Sequence, residues 1–206
     1  MKRMKYTFAA LVGMLFCFFL AGCSEKVVTV AEIIDEEGEV TEYIKMQEFE
    51  LKEVVEDSGK EQVEHCVVLI PGDYHESEEV KGLYLHERAP MESSNIYYSM
   101  VPGEAGHVKE ELTAEQYALF LEEALKQEGK DVSVEITSFE KVQMDQIPAL
   151  KIRSSYKVES NTILQLTYIV LAEDTHIVTY SQSKDDEMMV DFEAAEGQIR
   201  LVRRKE

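Results

Sequence analysis

The chain has 206 residues, with 21 Lys and Arg against 41 Asp and Glu, a formal net charge of −20. Ten Gly, four Pro, three Cys and no Trp exclude collagen-like, low-complexity and disulfide-dense classes. So acidic a chain is not a nucleic-acid binder, since phosphates must be met by clustered Lys and Arg. The length suits one domain of usual size plus an appendage.

The first 22 residues carry Lys2, Arg3 and Lys5 and no acid, followed by an apolar run from Tyr6 to Leu20. That run has the length of a signal-peptide core and is short for a spanning helix. It ends in Leu20-Ala21-Gly22-Cys23, which resembles the bacterial lipobox at every position. Small residues let an extended backbone enter a membrane protease, and only a thiol at Cys23 can form the thioether to a diacylglycerol. The resemblance implies a lipoprotein signal peptide over 1–22, lipidation at Cys23, and an extracytoplasmic domain held on the cell membrane through acyl chains such as palmitate. The alternative is an uncleaved signal anchor with Cys23 an incidental thiol. Processing would leave 184 residues and a charge of −23, because the three charges removed are all basic. Cys66 would then be the one free thiol, so no intramolecular disulfide could form.

Residues 23–62 read as an acidic, partly ordered tether. From Ser24 to Glu64 there are 4 basic and 14 acidic residues, whose mutual repulsion favours an extended spacer. Two other readings stay open: a helix face formed by Val40, Tyr43, Ile44, Leu51, Val54 and Val55, or short strands at Val27–Ile34 and Met46–Leu51.

A domain is expected over 63–206. Cys66, Val68 and Ile70 alternate with His65, Val67 and Leu69 before Pro71-Gly72-Asp73-Tyr74 stops the strand with turn chemistry. Leu83 and Leu85 mark a short alternating piece, and Ile96, Tyr98 and Met100 another, closed by Pro102-Gly103. A helix is expected from Ala114 to Glu128. Thr113 and Gln116 form its capping box, Gly129 terminates it, and Ala114, Tyr117, Ala118, Leu121, Ala124 and Leu125 make one apolar stripe.

Four strands follow by period two, on Val132/Val134/Ile136, on Leu150/Ile152/Tyr156/Val158, on Leu164/Leu166/Tyr168/Val170, and on either Ile177/Thr179 or Val178/Tyr180. The third also carries Ile163, Ile169 and Leu171 on its other face, so it should be central and covered on both sides. A second helix from Asp185 to about Glu196 presents Met188, Met189, Phe192 and Ala195. Ile199, Leu201 and Val202 make a last short strand.

This order of strands, helix, four-strand meander and closing helix resembles the PsbP-like superfamily and, within it, the bacterial DcrB-like lipoproteins. The resemblance runs from about Val63 to Val202 and includes the strand ending Ile70-Pro71-Gly72-Asp73-Tyr74, where relatives often place an aromatic residue soon after the Pro. Where relatives commonly place Gly before the Ala149 strand, this chain has Gln146-Ile147-Pro148. The resemblance implies an α+β fold, an antiparallel β-sheet flanked by helices as an α-β-α sandwich. It also implies an accessory or protein-binding role, and it brings no catalytic residues.

The densest set of possible ligands is Asp73, His75, Glu76 and Glu78, whose oxygens and imidazole could take a hard or transition-metal cation. The plainer reading is a solvated acidic loop, since no EF-hand or HExxH spacing is present. His65 and Cys66 point to opposite faces of a strand and cannot pair. His86 and His107 read as exposed residues at strand ends or in loops. No nucleophile elbow or phosphate loop occurs. Arg200, Arg203, Arg204 and Lys205 form the single basic cluster, read either as a contact for anionic headgroups or an acidic partner, or as a frayed tail. The expected function is therefore a non-enzymatic, membrane-anchored module, without cofactor, that binds another envelope component. The alternative is a cation- or solute-binding lipoprotein using the loop 73–79.

Overall fold

The computed structural model describes residues 28–34, 38–51, 63–71, 74–101, 103, 112–144, 146–184, 189–194 and 199–204. They form two antiparallel sheets and two helices. The strands are β1 (Val28–Ile34), β2 (Val40–Leu51), β3 (Val63–Pro71), β4 (Tyr74–Glu76), β5 (Leu83–His86), β6 (Asn95–Val101), β7 (Val134–Met144), β8 (Ile147–Val158), β9 (Asn161–Leu171), β10 (Thr175–Ser183) and β11 (Arg200–Arg204). The helices are α1 (Ala114–Gln127) and α2 (Met189–Ala194). A four-stranded sheet has the order β1-β2-β3-β11, and a seven-stranded sheet the order β4-β5-β6-β10-β9-β8-β7.

The meander β7–β8–β9–β10 forms as the periodicity requires. β9 lies inside the larger sheet, with Leu166, Tyr168 and Val170 buried on one face and Ile169 on the other. Of the two alternatives for the next strand, Val178 and Tyr180 take the core positions, while Ile177 and Thr179 stay half-buried on the opposite face. α1 begins with the expected capping box: Gln116 N–H donates to Thr113 Oγ1 at 3.3 Å, and Thr113 N–H donates to Gln116 Oε1 at 3.1 Å. It stops where Gly129 takes φ +82°, a conformation glycine adopts without strain. Gln146 sits at φ +66°, so a non-glycine residue holds the left-handed turn before β8.

The main core lies between the two sheets. Cys66 and Val68 of β3 meet Tyr84, Ile96, Tyr98, Leu166, Tyr168, Val178 and Tyr180 of the large sheet, together with Phe192 of α2. Phe192 stacks on Tyr180 with ring centroids 4.6 Å apart and meets Tyr74 edge-on at 5.8 Å. Burial pushes the Cys66 thiol up to about 12, so it stays protonated as a small core hydrophobe. Arg153 of β8 pairs with Glu193 of α2, and that hydrogen bond is the main cause raising the Arg153 pKa. On the other face, α1 packs Ala118, Leu121 and Leu125 against Val134, Ile136 and Tyr156.

The structure decides several points the sequence leaves open and changes others. Of the readings open for residues 23–62, the strand reading is the one seen: β1 pairs with β2 from Val28↔Gln47 to Ile34↔Val40, and β2 pairs with β3 from Met46↔Pro71 to Leu51↔Cys66, so these strands join the folded unit. Met46 of β2 is buried although Glu42, Glu48 and Glu50 share its strand parity, so the charge density of this segment hides a core position. The expected α-β-α sandwich is instead helix on sheet on sheet, because the face opposite α1 is covered by the small sheet and only a six-residue α2. In β5 the buried residues are Tyr84 and His86, with Leu83 and Leu85 on the opposite face. Both sides of that strand are apolar, so alternation alone could not choose between them. Finally, Arg200 to Arg204 are not a frayed tail, for they pair with Val67 to Val63 along β3.

Candidate functional site

α1 covers only part of its face of the seven-stranded sheet. It lies over β7, β8 and β9, where Tyr117 packs against Leu150, Ile152 and Ile169. Tyr117 Oη donates to Thr167 Oγ1 at 3.1 Å, and burial is the main cause raising its pKa. Beyond Thr167 the same face continues across β10, where Ile177 joins the cluster under Leu112 and Tyr117, and then across β6, β5 and β4.

Register identifies the residues of this face. One row runs Ile152, Thr167, Thr179, Tyr97, Leu83; the next runs Ser154, Gln165, Ser181, Asn95, Leu85. The strands β10, β6, β5 and β4 span about 14 Å at 4.7–4.9 Å per strand. Tyr97 is 43% exposed, and Leu83, Leu85 and Asn95 are half-buried. Phe120, 66% exposed, follows Tyr117 by one turn and rises from the same flank of α1. The two rows contain no charged residue, in a chain that is 30% charged.

Hydrogen bonds order the polar part of the face. Thr167 and Thr179 hydroxyls lie 3.2 Å apart, and Gln165 Nε2 donates to Ser181 Oγ at 3.1 Å. Ser154 Oγ and Gln165 Oε1, opposite one another in the β8–β9 register, find no hydrogen-bond partner among the described residues. Each such buried atom costs about 1–3 kcal/mol of desolvation. Ser154, Thr167 and Ser181 are buried, so these hydrogen bonds tie the sheet's own strands together. What this face presents at the surface is Tyr97 with half-buried Leu83, Leu85 and Asn95, an uncharged patch suited to apolar contact.

Of the residues singled out for metal binding, the three that are described do not converge. His75 and Glu76 are adjacent on β4 and point to opposite faces of the sheet; both are exposed, as is Glu78 in the following bend. Asp73 lies outside the described residues, as do Cys23 and His107. Among the described residues, no group of three or more His, Cys, Asp or Glu is placed to hold a metal ion. Millimolar Ca²⁺, Mn²⁺ or Zn²⁺ should therefore leave the thermal midpoint unchanged. A rise that disappears in Glu76→Ala would restore the metal reading, since specific binding to the folded state stabilises it.

Two histidines emerge that strand alternation alone did not place. His86, expected in solvent, is buried edge-on against Tyr74, and its Nδ1 accepts from Arg88 N–H at 3.1 Å. His176 is fully buried, stacked on Tyr98, with its Nδ1 2.8 Å from the Tyr98 hydroxyl. It shares strand parity with Val178 and Tyr180, a signal available once the buried face of β10 is known. Both histidines belong to the core between the sheets. A shallow cleft of about 310 Å³ between Lys141–Gln143 and Pro148–Leu150, bounded by Leu171, is lined mainly by aliphatic groups and offers Lys141 as its only charge.

The sequence matches no family model and no curated protein. Among solved structures, it is similar to PsbP (CyanoP) from the cyanobacterium Synechocystis sp. PCC 6803, at 13% identity and a TM-score of 0.54, over 88% of this chain and 99% of that one. It is also similar to LpqN, involved in cell envelope biogenesis of Mycobacterium tuberculosis, at 13% identity and a TM-score of 0.45, over 77% of this chain and 91% of that one. The CyanoP likeness establishes the PsbP-like fold. Its span, 88% of 206 residues, exceeds the stretch Val63–Val202 and so takes in residues outside the expected domain.

Proposed function

We propose that the chain is an extracytoplasmic lipoprotein, attached to the membrane at Cys23, that serves as a non-enzymatic accessory module for another envelope protein. The observation that carries this reading is the uncharged patch over β6 and β5, where Tyr97 is exposed and Leu83, Leu85 and Asn95 are half-buried among the described residues, with exposed Phe120 on α1. Exposed aromatic rings beside apolar side chains are the composition of interface centres, whereas most of this acidic surface repels anionic partners. The PsbP-like resemblance implies the same kind of role, and the lipobox-like Leu20-Ala21-Gly22-Cys23 supports the compartment.

The test is site-specific photo-crosslinking of the full chain in its host. A benzophenone side chain at position 97 or 120 should give one adduct of defined mass. The same group at Lys157, exposed on β8, should give none. Tyr97→Ala should then reduce the adduct formed from position 120 about tenfold, if the ring contributes the 1–2 kcal/mol usual for an aromatic anchor. Equal adducts from all three positions, or none from 97 and 120, would remove the face from consideration.

A further inference from the structure

The exposed residues of α1 fall on two sides of different chemistry. Thr113, Gln116, Phe120, Ala124 and Gln127 are exposed and uncharged, and spacings of 3, 4, 4 and 3 put them on one flank of the helix. Exposed Glu115 and Lys126 lie on the far side, and Glu123 stands at the outer margin of the neutral flank. The other flank is turned to β7: Glu122 Oε1 accepts from Val134 N–H at 2.9 Å, and Ala118 and Leu125 pack with Val134 and Tyr156. The neutral flank therefore faces the opposite way, toward β10 and β6, as the Tyr117–Thr167 hydrogen bond also requires. There it adjoins Thr179, Tyr97, Asn95, Leu83 and Leu85, exposed or half-buried and equally without charge. Wall and floor make one neutral groove.

Backbone bonding decides the form of segment such a groove accepts. β10 is paired on both sides, by β9 and β6; so are β6, by β10 and β5, and β5, by β6 and β4. The floor thus offers no strand edge, and an extended segment laid on it would bury backbone groups with nothing to bond. A helix satisfies its own backbone. The strip from β10 to β5 is two strand spacings wide, about 10 Å. That matches the roughly 8–10 Å at which neighbouring helices pack, and the small Ala124 lets a second helix come close to α1.

Charge narrows the source. A second copy of this chain would bring another −20 to the contact and be repelled. Glu123 at one margin, with Glu78 and Glu79 against Lys81 beyond Leu83 at the other, suits basic residues along the edges of the occupant. Resting on the partner-binding role above, we propose that the groove takes an amphipathic helix of the partner protein. It lies beside α1 with its apolar side on Phe120 and Tyr97 and with Lys or Arg at its edges.

Benzophenone scanning of the full chain in its host, with peptide mass analysis of the adducts, tests this. Probes at Gln116, Phe120 and Gln127 should each capture the partner, and probes at Glu115 and Lys126 on the far side should not. Moving the probe from 116 to 127 travels about 16–17 Å along α1, so a helix alongside shifts its modified residue by about eleven positions. An extended segment shifts it by about five. Ala124→Glu should lower the adduct from position 97 at least about tenfold, by placing an unpaired carboxylate in the contact. Lys126→Glu should leave that adduct unchanged; both positions are exposed, so neither substitution enters the core. A shift near five, adducts only within this chain or to a second copy of it, or equal adducts from 115 and 126 overturn the proposal. No adduct from 97 and 120 removes the partner-binding role itself, whereas adducts there with the wrong shift remove only the helix.

Discussion

Phe192→Ala should lower the free energy of unfolding by about 3–5 kcal/mol, the cost of emptying an aromatic site in a core that cannot fully collapse. Phe192 is fully buried and, with partly buried Met189, carries α2 into the space between the sheets, against Tyr180 and Tyr74. A six-residue helix has no stability of its own, so its position depends on this contact and on the Glu193–Arg153 pair. That pair is about one-third exposed on each side, so Glu193→Gln should cost no more than about 1 kcal/mol. Urea unfolding of both variants measures the difference. If Phe192→Ala costs less than Glu193→Gln, the aromatic contact does not seat α2.

The second large effect concerns the membrane. Cys23→Ala should abolish incorporation of labelled fatty acid and, once the leader is removed, leave the protein in the soluble fraction. Each methylene withdrawn from lipid removes about 0.8 kcal/mol, and stable anchoring takes two chains. The remaining domain offers no replacement, being strongly acidic and repelled by anionic headgroups over most of its surface. Fractionation with mass analysis of the Cys23 peptide gives the answer. Labelled fatty acid persisting in the variant would place the modification elsewhere and withdraw the lipobox reading.

The open face was only partly legible beforehand. Tyr97 follows from alternation with Ile96 and Tyr98, because one parity of β6 had to face outward. Leu83 and Leu85 mark β5 in the sequence without fixing which side is buried, and only the packing of Tyr84 in the core puts both leucines on this face. Phe120 lies off the apolar stripe of α1, but only the position of that helix over β7–β9 shows which strands it leaves uncovered. Gln165, Ser181 and Ser154 have no meaning as a group in sequence; three separate strands bring them into one row.

Local patterning alone determined α1 with its capping box, the four-strand meander, the central position of β9 and the protonated burial of Cys66, because propensity, caps and period-two alternation act over a few residues. The tertiary structure decided the inclusion of residues 28–51, the inward face of β5, the pairing of β11 with β3, and a second sheet where a helical layer was expected. Each of those depends on contacts between residues far apart in the chain, and where both faces of a strand are apolar or a segment is densely charged, local pattern assigns nearly equal energy to the alternatives.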